Sequence, residues 1–140
     1  MTSVPGYTYG EPPATLKQSS EAMDASGMFT STVVRGVKDG SGTEVAAIIL
    51  MQYNPKMTVL LDKKSPSKIL DGGVMGLKAS IPGKMTVTSQ VLSGTPVRLV
   101  KGADVSFAIV YKHGGELIQV AGPKAAPVLK FTGAYLAANR

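Results

Sequence analysis

The sequence predicts an α+β domain in which a mid-chain helix and a C-terminal helix pack on an antiparallel sheet of about six strands. Residues 45–53 are the first indication, because eight of these nine residues are apolar and such a strand has to be covered on both faces. Shorter stretches rich in Thr and Val alternate with glycine-containing turns. Two further segments carry apolar residues at helical spacing.

The chain of 140 residues has room for one hydrophobic core and therefore for one domain. Residues 1–27 are turn-rich and polar, and they predict an N-terminal arm or lead-in, which leaves residues 28–140 as the α+β domain. Hydrophobic residues make up 44% of the chain and charged residues 17%, which indicates an ordered surface. The net charge of +6 predicts weak attraction to polyanions, whatever the function.

The first two strands are expected to form a hairpin. Residues 29–37 are rich in β-branched side chains, and residues 39–42 supply a turn before the strand at 45–53. Asn54 and Pro55 end that strand, because proline cannot donate to the sheet ladder. Residues 57–62 fit both an alternating strand and a helical turn, so they are left unassigned.

Ser65 and Pro66 predict the start of the mid-chain helix, as its N-cap and its first helical residue. One face of this helix, which reaches about residue 79, is apolar: it carries Ile69, Leu70, Val74 and Leu77. Its interior also contains Gly72, Gly73 and Gly76, each of which costs about 1 kcal/mol relative to alanine. Either these glycines allow the helix to pack closely on the sheet, which is the favoured interpretation, or they contact a ligand.

A meander of four antiparallel strands should follow, at residues 85–92, 97–101, 105–112 and 117–121. Ile48 and Leu50 of the core strand are expected to be buried together with Phe107 and Ile109 of the meander. After Gly122 the C-terminal helix places five residues on one stripe, which should pack across the sheet: Val128, Phe131, Thr132, Tyr135 and Leu136.

The sequence offers no catalytic set. It has no cysteine, which excludes disulfides, thiolate metal sites and thiol nucleophiles. His113 is the single histidine, and it lies in a predicted hairpin turn. Lys63, Lys64 and Lys68 form a basic cluster without interleaved aromatic residues, which favours a solvated surface over a nucleic-acid site. No cofactor, no metal site and no enzymatic activity are therefore expected.

The order of elements resembles the PsbP-like fold, including small actinobacterial lipoproteins of the LpqN type. The likeness covers about residues 28–138, and the segments that carry it are residues 33–36, 46–52, 69–77, 105–111 and 116–120. The resemblance implies a non-catalytic binding or assembly module, often outside the cytoplasm. It also implies that, since this chain lacks the lipid-attachment cysteine, the chain is a trimmed form or a soluble relative.

We therefore expect a non-enzymatic binding or interaction module with a protein or small-molecule partner. The alternatives are a small enzyme or ligand-transforming domain, and an accessory protein of a phage or mobile element. No stretch reaches the roughly 18 apolar residues of a membrane span, and the N-terminus does not resemble a signal peptide. An extracytoplasmic location is favoured only if a signal segment has been removed.

The predicted contact surface lies between the glycine-bearing helix and the turn at residues 113–116. Glycines cluster there and two lysines would supply positive charge at its rim. The candidate residues are Gly72, Gly73, Gly76, Lys68, Lys112 and His113.

Overall fold

The computed structural model describes residues 2–80 and 83–139. In chain order the elements are β1 (Thr8–Gly10), α1 (Ala14–Ala25), β2 (Phe29–Lys38), β3 (Glu44–Tyr53), α2 (Pro55–Asp62), α3 (Pro66–Ser80), β4 (Thr86–Leu92), β5 (Thr95–Lys101), β6 (Ser106–Lys112), β7 (Glu116–Gly122) and α4 (Ala125–Ala138). The predicted α+β class is confirmed.

The sheet has the strand order β1-β2-β3-β7-β6-β5-β4 and every neighbouring pair is antiparallel. The predicted hairpin (β2 and β3) and the predicted meander (β4 to β7) are both present. They join through β3 and β7, whose register runs from Ala47 opposite Ala121 to Gln52 opposite Glu116. The described sheet has seven strands rather than about six, because the short β1 pairs with the end of β2.

Helices cover both faces of the sheet, which gives three layers. On one face α4 packs against the central strands, and its buried residues are Val128, Phe131, Thr132, Tyr135 and Leu136, the five that the helical spacing predicted. On the opposite face α3 buries Leu70 and Val74 against Val100 and Ile109, while Leu16 of α1 packs near Ile49.

The expectation that Ile48, Leu50, Phe107 and Ile109 are buried together is wrong in one respect. Ile48 and Leu50 belong to the α4 side of the core, whereas Phe107 and Ile109 belong to the α3 side. The cause is the register: Ile48 pairs with Val120 and Val120 with Ala108, so Ala108 shares the face of Ile48. Since successive side chains alternate between faces, Phe107 and Ile109 point the other way.

Residues before α1 contribute to the core beneath α4, although their sequence predicts an arm. Val4 is only 2% exposed. The Tyr7 ring meets the ring of Phe131 edge-on, with centroids 5.0 Å apart, and the Tyr9 hydroxyl donates a 2.6 Å hydrogen bond to the Thr2 carbonyl. Through these contacts, β1 and the residues that precede it pack against α4.

Candidate functional site

A cavity of about 460 Å³ opens where the corner between α2 and α3 meets the end of β3. We call it the basic cleft, because two lysines lie among its lining residues. Those residues are Tyr53, Leu61, Lys64, Lys68, Ile69, Gly72 and Gly73. Its volume falls within the range of small-molecule sites.

The α2–α3 corner is built by two N-terminal caps. Asn54 caps α2, since its Oδ1 accepts a 2.8 Å hydrogen bond from the backbone N–H of Met57 and Pro55 occupies the first turn. Three residues separate the end of α2 from the start of α3 at Pro66, and Ser65 caps α3, since its Oγ accepts a 3.4 Å hydrogen bond from the backbone N–H of Lys68. Because the connection is this short, Lys64 in the turn and Lys68 in the first turn of α3 both reach the same cavity.

Apolar and aromatic surface forms much of the rest of the cleft. Ile69 is buried while Leu61 is half-buried, and both belong to the core beneath α3. The Tyr53 ring is held in place by Phe29, at a centroid distance of 4.7 Å, and by a 2.9 Å hydrogen bond from its backbone N–H to the Gly115 carbonyl.

Two glycines of α3, Gly72 and Gly73, line one wall of the cleft, so no side chain projects from these positions. A Cβ atom added at Gly72 would meet no heavy atom within 4 Å, and one added at Gly73 would touch the side chain of Ile109 at 3.5 Å. A Cβ would therefore make ordinary van der Waals contact at Gly73 and meet open space at Gly72, so only a side chain larger than alanine at Gly73 would press on the sheet. At Gly72 the absent side chain leaves the helix backbone accessible from the cavity.

The cleft is electrostatically positive. Within the described part of the chain, no carboxylate forms an ion pair with Lys64 or Lys68. Burial raises the pKa of Tyr53 above its ordinary value, so its phenol stays protonated at neutral pH and can donate a hydrogen bond. Two ammonium groups and one hydroxyl donor thus border an apolar surface.

Asp62, at the end of α2, joins the α2–α3 corner to the β6–β7 hairpin. Its Oδ1 accepts hydrogen bonds from the Tyr111 hydroxyl at 2.7 Å and from the Gly114 N–H at 3.1 Å. The bond from Tyr111, helped by the Gly114 N–H and by the nearby His113, lowers the pKa of Asp62 despite partial desolvation. Burial, and then this bond, raises the pKa of Tyr111 to about 12.

The six residues named from the sequence do not form one site. Lys68, Gly72 and Gly73 line the basic cleft. Gly76 is exposed and does not line it, and His113 lies at the hairpin tip, with its side chain 85% exposed and its Nδ1 3.4 Å from Oδ1 of Asp62. Lys112 lies on the α4 side, where its Nζ donates to the Asn139 carbonyl at 3.0 Å.

Sequence reasoning missed Tyr53, Leu61 and Ile69 as site residues and interpreted Lys64 as solvated surface. The signal for Lys64 was present in the basic cluster around the start of α3. No local signal marks Tyr53, because its place in the cleft depends on how the end of β3 meets a helix that begins 13 residues later.

A second depression, which we call the apolar groove, opens on the same face of the sheet and has a volume of about 510 Å³. Its lining is mostly apolar and comes from α1 and the far ends of the central strands. The residues are Pro13, Leu16, Glu44, Val45, Ala46, Ala47, Val105, Phe107, Ala121, Gly122 and Pro123. Glu44 is its one charged lining residue among those described, so the groove lacks the positive character of the basic cleft.

Within residues 2–80 and 83–139, no three His, Cys, Asp or Glu side chains are arranged to hold a metal ion. None of the described helices is both long enough and apolar enough to cross a lipid bilayer. No family model matches the chain, and neither a curated protein nor a solved structure matches it. The chemistry of the cleft is therefore the basis for a functional assignment.

Proposed function

We propose that this protein is a non-enzymatic binding module whose basic cleft takes a small amphipathic anion, with a carboxylate or phosphate group between Lys64 and Lys68. The observation that carries the proposal is the meeting of these two lysines, neither paired with a carboxylate of the described chain, with an apolar cavity.

Charge favours an anionic head group. Lys64 and Lys68 are exposed, so each ammonium group attracts an anion only weakly in water. Two of them at one cavity, together with the neutral hydroxyl of Tyr53, which also lines it, provide three donors. This arrangement suits an oxygen-bearing anion, which accepts several hydrogen bonds at once.

The cavity lining favours an apolar body on the same ligand. Leu61, Ile69 and the ring of Tyr53 would cover apolar ligand surface, at roughly 25 cal/mol per Å² removed from water. A simple inorganic anion would leave this apolar surface exposed to water. The ligand class is thus an organic acid with a hydrocarbon or aromatic portion.

The non-enzymatic part of the proposal follows from the types of polar group present. Among the described residues that line the cleft there is neither a carboxylate nor an imidazole. Two ammonium groups and a phenol bind and orient an anion, but no general acid and base face each other there.

Calorimetric titration with decanoate, below the concentration at which it forms micelles, tests the proposal. Decanoate should bind saturably, whereas decyltrimethylammonium, which carries the opposite charge, should not. The double variant Lys64→Gln/Lys68→Gln should bind decanoate about tenfold more weakly, which corresponds to about 1.4 kcal/mol. Lys124→Gln, at the start of α4, is the matched control and should bind like the wild type.

A steric test uses two glycines of α3 that both have open space at Cβ. Gly72→Leu should fill the cleft and weaken decanoate binding, while Gly76→Leu, one turn further along the helix, should not. Equal binding by the two glycine variants, or by the lysine double variant and the wild type, would contradict the proposal.

A further inference from the structure

The two edges of the sheet differ in length and in protection. At one edge β1 has only three residues, and the stretch of β2 that it leaves unpaired, residues 29–35, has an irregular register between Phe29 and Ser31 and carries the charged Arg35. At the other edge β4 has seven residues, Thr86–Leu92, and along one side it pairs with β5. No described strand pairs with its outer side.

The β4 edge carries none of the usual devices that prevent pairing with another chain. Its register with β5 is unbroken over seven residue pairs, from Thr86 opposite Lys101 to Leu92 opposite Thr95, so no bulge twists it away. The strand contains no proline and no charged residue. Natural edge strands are normally blunted by such features, and Val91 is left 68% exposed.

We propose that two copies of this chain associate through β4, in antiparallel pairing about a twofold axis at Ser89. The two seven-stranded sheets would then form one continuous sheet. The sequence is self-complementary about this axis: Val87 stands opposite Val91 of the second copy, Thr88 opposite Gln90, and Ser89 opposite its own counterpart.

In this register, side chains of similar polarity would lie opposite each other on each face of the sheet. Val87 and Val91 pair with Val100 and Pro96 of β5, which places both on the face that α3 covers, so each valine would meet a valine across the axis. Such β-branched cross-strand pairs stabilise sheets. Thr88 and Gln90 share the opposite face, where their polar side chains can bond to each other.

Charge does not oppose a second copy at this edge despite the net charge of +6. The strand itself is neutral, and in this register Lys84 would stand opposite Gly94 rather than opposite another lysine. Isologous contacts of this kind close after two copies, which gives a dimer and not a fibre.

Because the chain has no cysteine, a single introduced thiol reports the contact directly. Under mild oxidation Ser89→Cys should form a disulfide dimer in high yield, since residues opposite each other in an antiparallel pair lie within disulfide reach. Val87→Cys should cross-link efficiently with Val91→Cys but poorly with itself. Thr8→Cys, an exposed position on the opposite edge strand, is the control and should form no disulfide-linked dimer.

Sedimentation of the unmodified protein gives the second readout. The wild type should sediment as a dimer, Ser89→Lys as a monomer because it places two charges at the axis, and Thr8→Lys as a dimer. A wild type that sediments as a monomer at every concentration, or equal cross-linking by Ser89→Cys and Thr8→Cys, would overturn the proposal.

Discussion

The hydroxyl of Tyr111 donates a 2.7 Å hydrogen bond to Oδ1 of Asp62, and this bond joins the end of α2 to the β6–β7 hairpin. The connection matters because α2 buries none of its residues, so packing alone does little to hold it. Leu61 and Lys64, on either side of Asp62 along the chain, both line the basic cleft. The shape of the cleft therefore depends on a polar contact behind it.

Removing this contact should loosen the cleft without unfolding the domain. Tyr111→Phe keeps the buried ring and deletes only the hydroxyl that bonds to Asp62. We expect a lower melting temperature and weaker decanoate binding, measured by thermal unfolding and calorimetry. Tyr7→Phe is a control on the other face. An unchanged affinity in Tyr111→Phe would show that α2 is positioned by other contacts.

The same contact predicts a pH dependence on the acid side. The pKa of Asp62 is lower in the folded state than its ordinary value of 3.8. Its contribution to stability is therefore fully present above about pH 4 and is lost as the pH falls through the lower, folded-state pKa. Asp62→Asn removes this titration.

Urea unfolding at pH 7 and at a series of values below pH 4 measures the effect. The difference in stability between wild type and Asp62→Asn should be largest at pH 7 and should shrink as the pH falls. If this difference in stability stays constant as the pH falls to the acid transition, the predicted contribution of ionised Asp62 is contradicted.

Substitutions at the glycines of α3 should change the stability in opposite directions, depending on what surrounds each glycine. Gly76 has open space at Cβ, so Gly76→Ala should raise the free energy of unfolding by about 0.5–1 kcal/mol through helix propensity. Gly73 faces Ile109, which is 2% exposed, so Gly73→Leu should overpack the site and cost about 1–3 kcal/mol. Chemical denaturation of both variants checks this, and a stabilised Gly73→Leu would contradict the packing role.

The N-terminal segment should contribute to stability. Deleting residues 1–10 removes the buried Val4 and the Tyr7 ring that packs on Phe131. Burial of a valine and one aromatic pair together are worth about 2–4 kcal/mol, so the urea midpoint should fall. Pro5→Ala, at an exposed position, is the control. A midpoint that does not move after the deletion would instead support the N-terminal arm or lead-in that the sequence predicts.

Much of the fold was predictable because most of its strands and helices have a clear pattern within their own stretch of sequence. The strands β2 to β7 each carry several β-branched or apolar residues between turn signals, and the stripe of α4 is complete in the sequence. By contrast, β1 is three residues long and forms only through its partner β2. The pairing of β3 with β7 joins residues about 70 positions apart, and no local pattern specifies it.

The site was harder to predict for a related reason. Lys68, Gly72 and Gly73 share one helix, so their proximity follows from helical spacing. Lys112 is the last residue of β6, in which side chains alternate between the two faces of the sheet, and the register places it on the α4 side. Helix α2 was left unassigned, although Asn54 and Pro55 form the same type of start signal that identified α3, and without α2 the basic cleft has no second wall.

Amide chemical shifts measured during a decanoate titration show whether the ligand lies in the basic cleft. We expect saturable shifts at the amides of Lys64, Lys68, Gly72 and Gly73, with little change at Ala47 and Ala121 in the apolar groove. The double variant Lys64→Gln/Lys68→Gln should lose these shifts. Shifts confined to the groove, or no saturable shifts at the cleft, would contradict the proposed function.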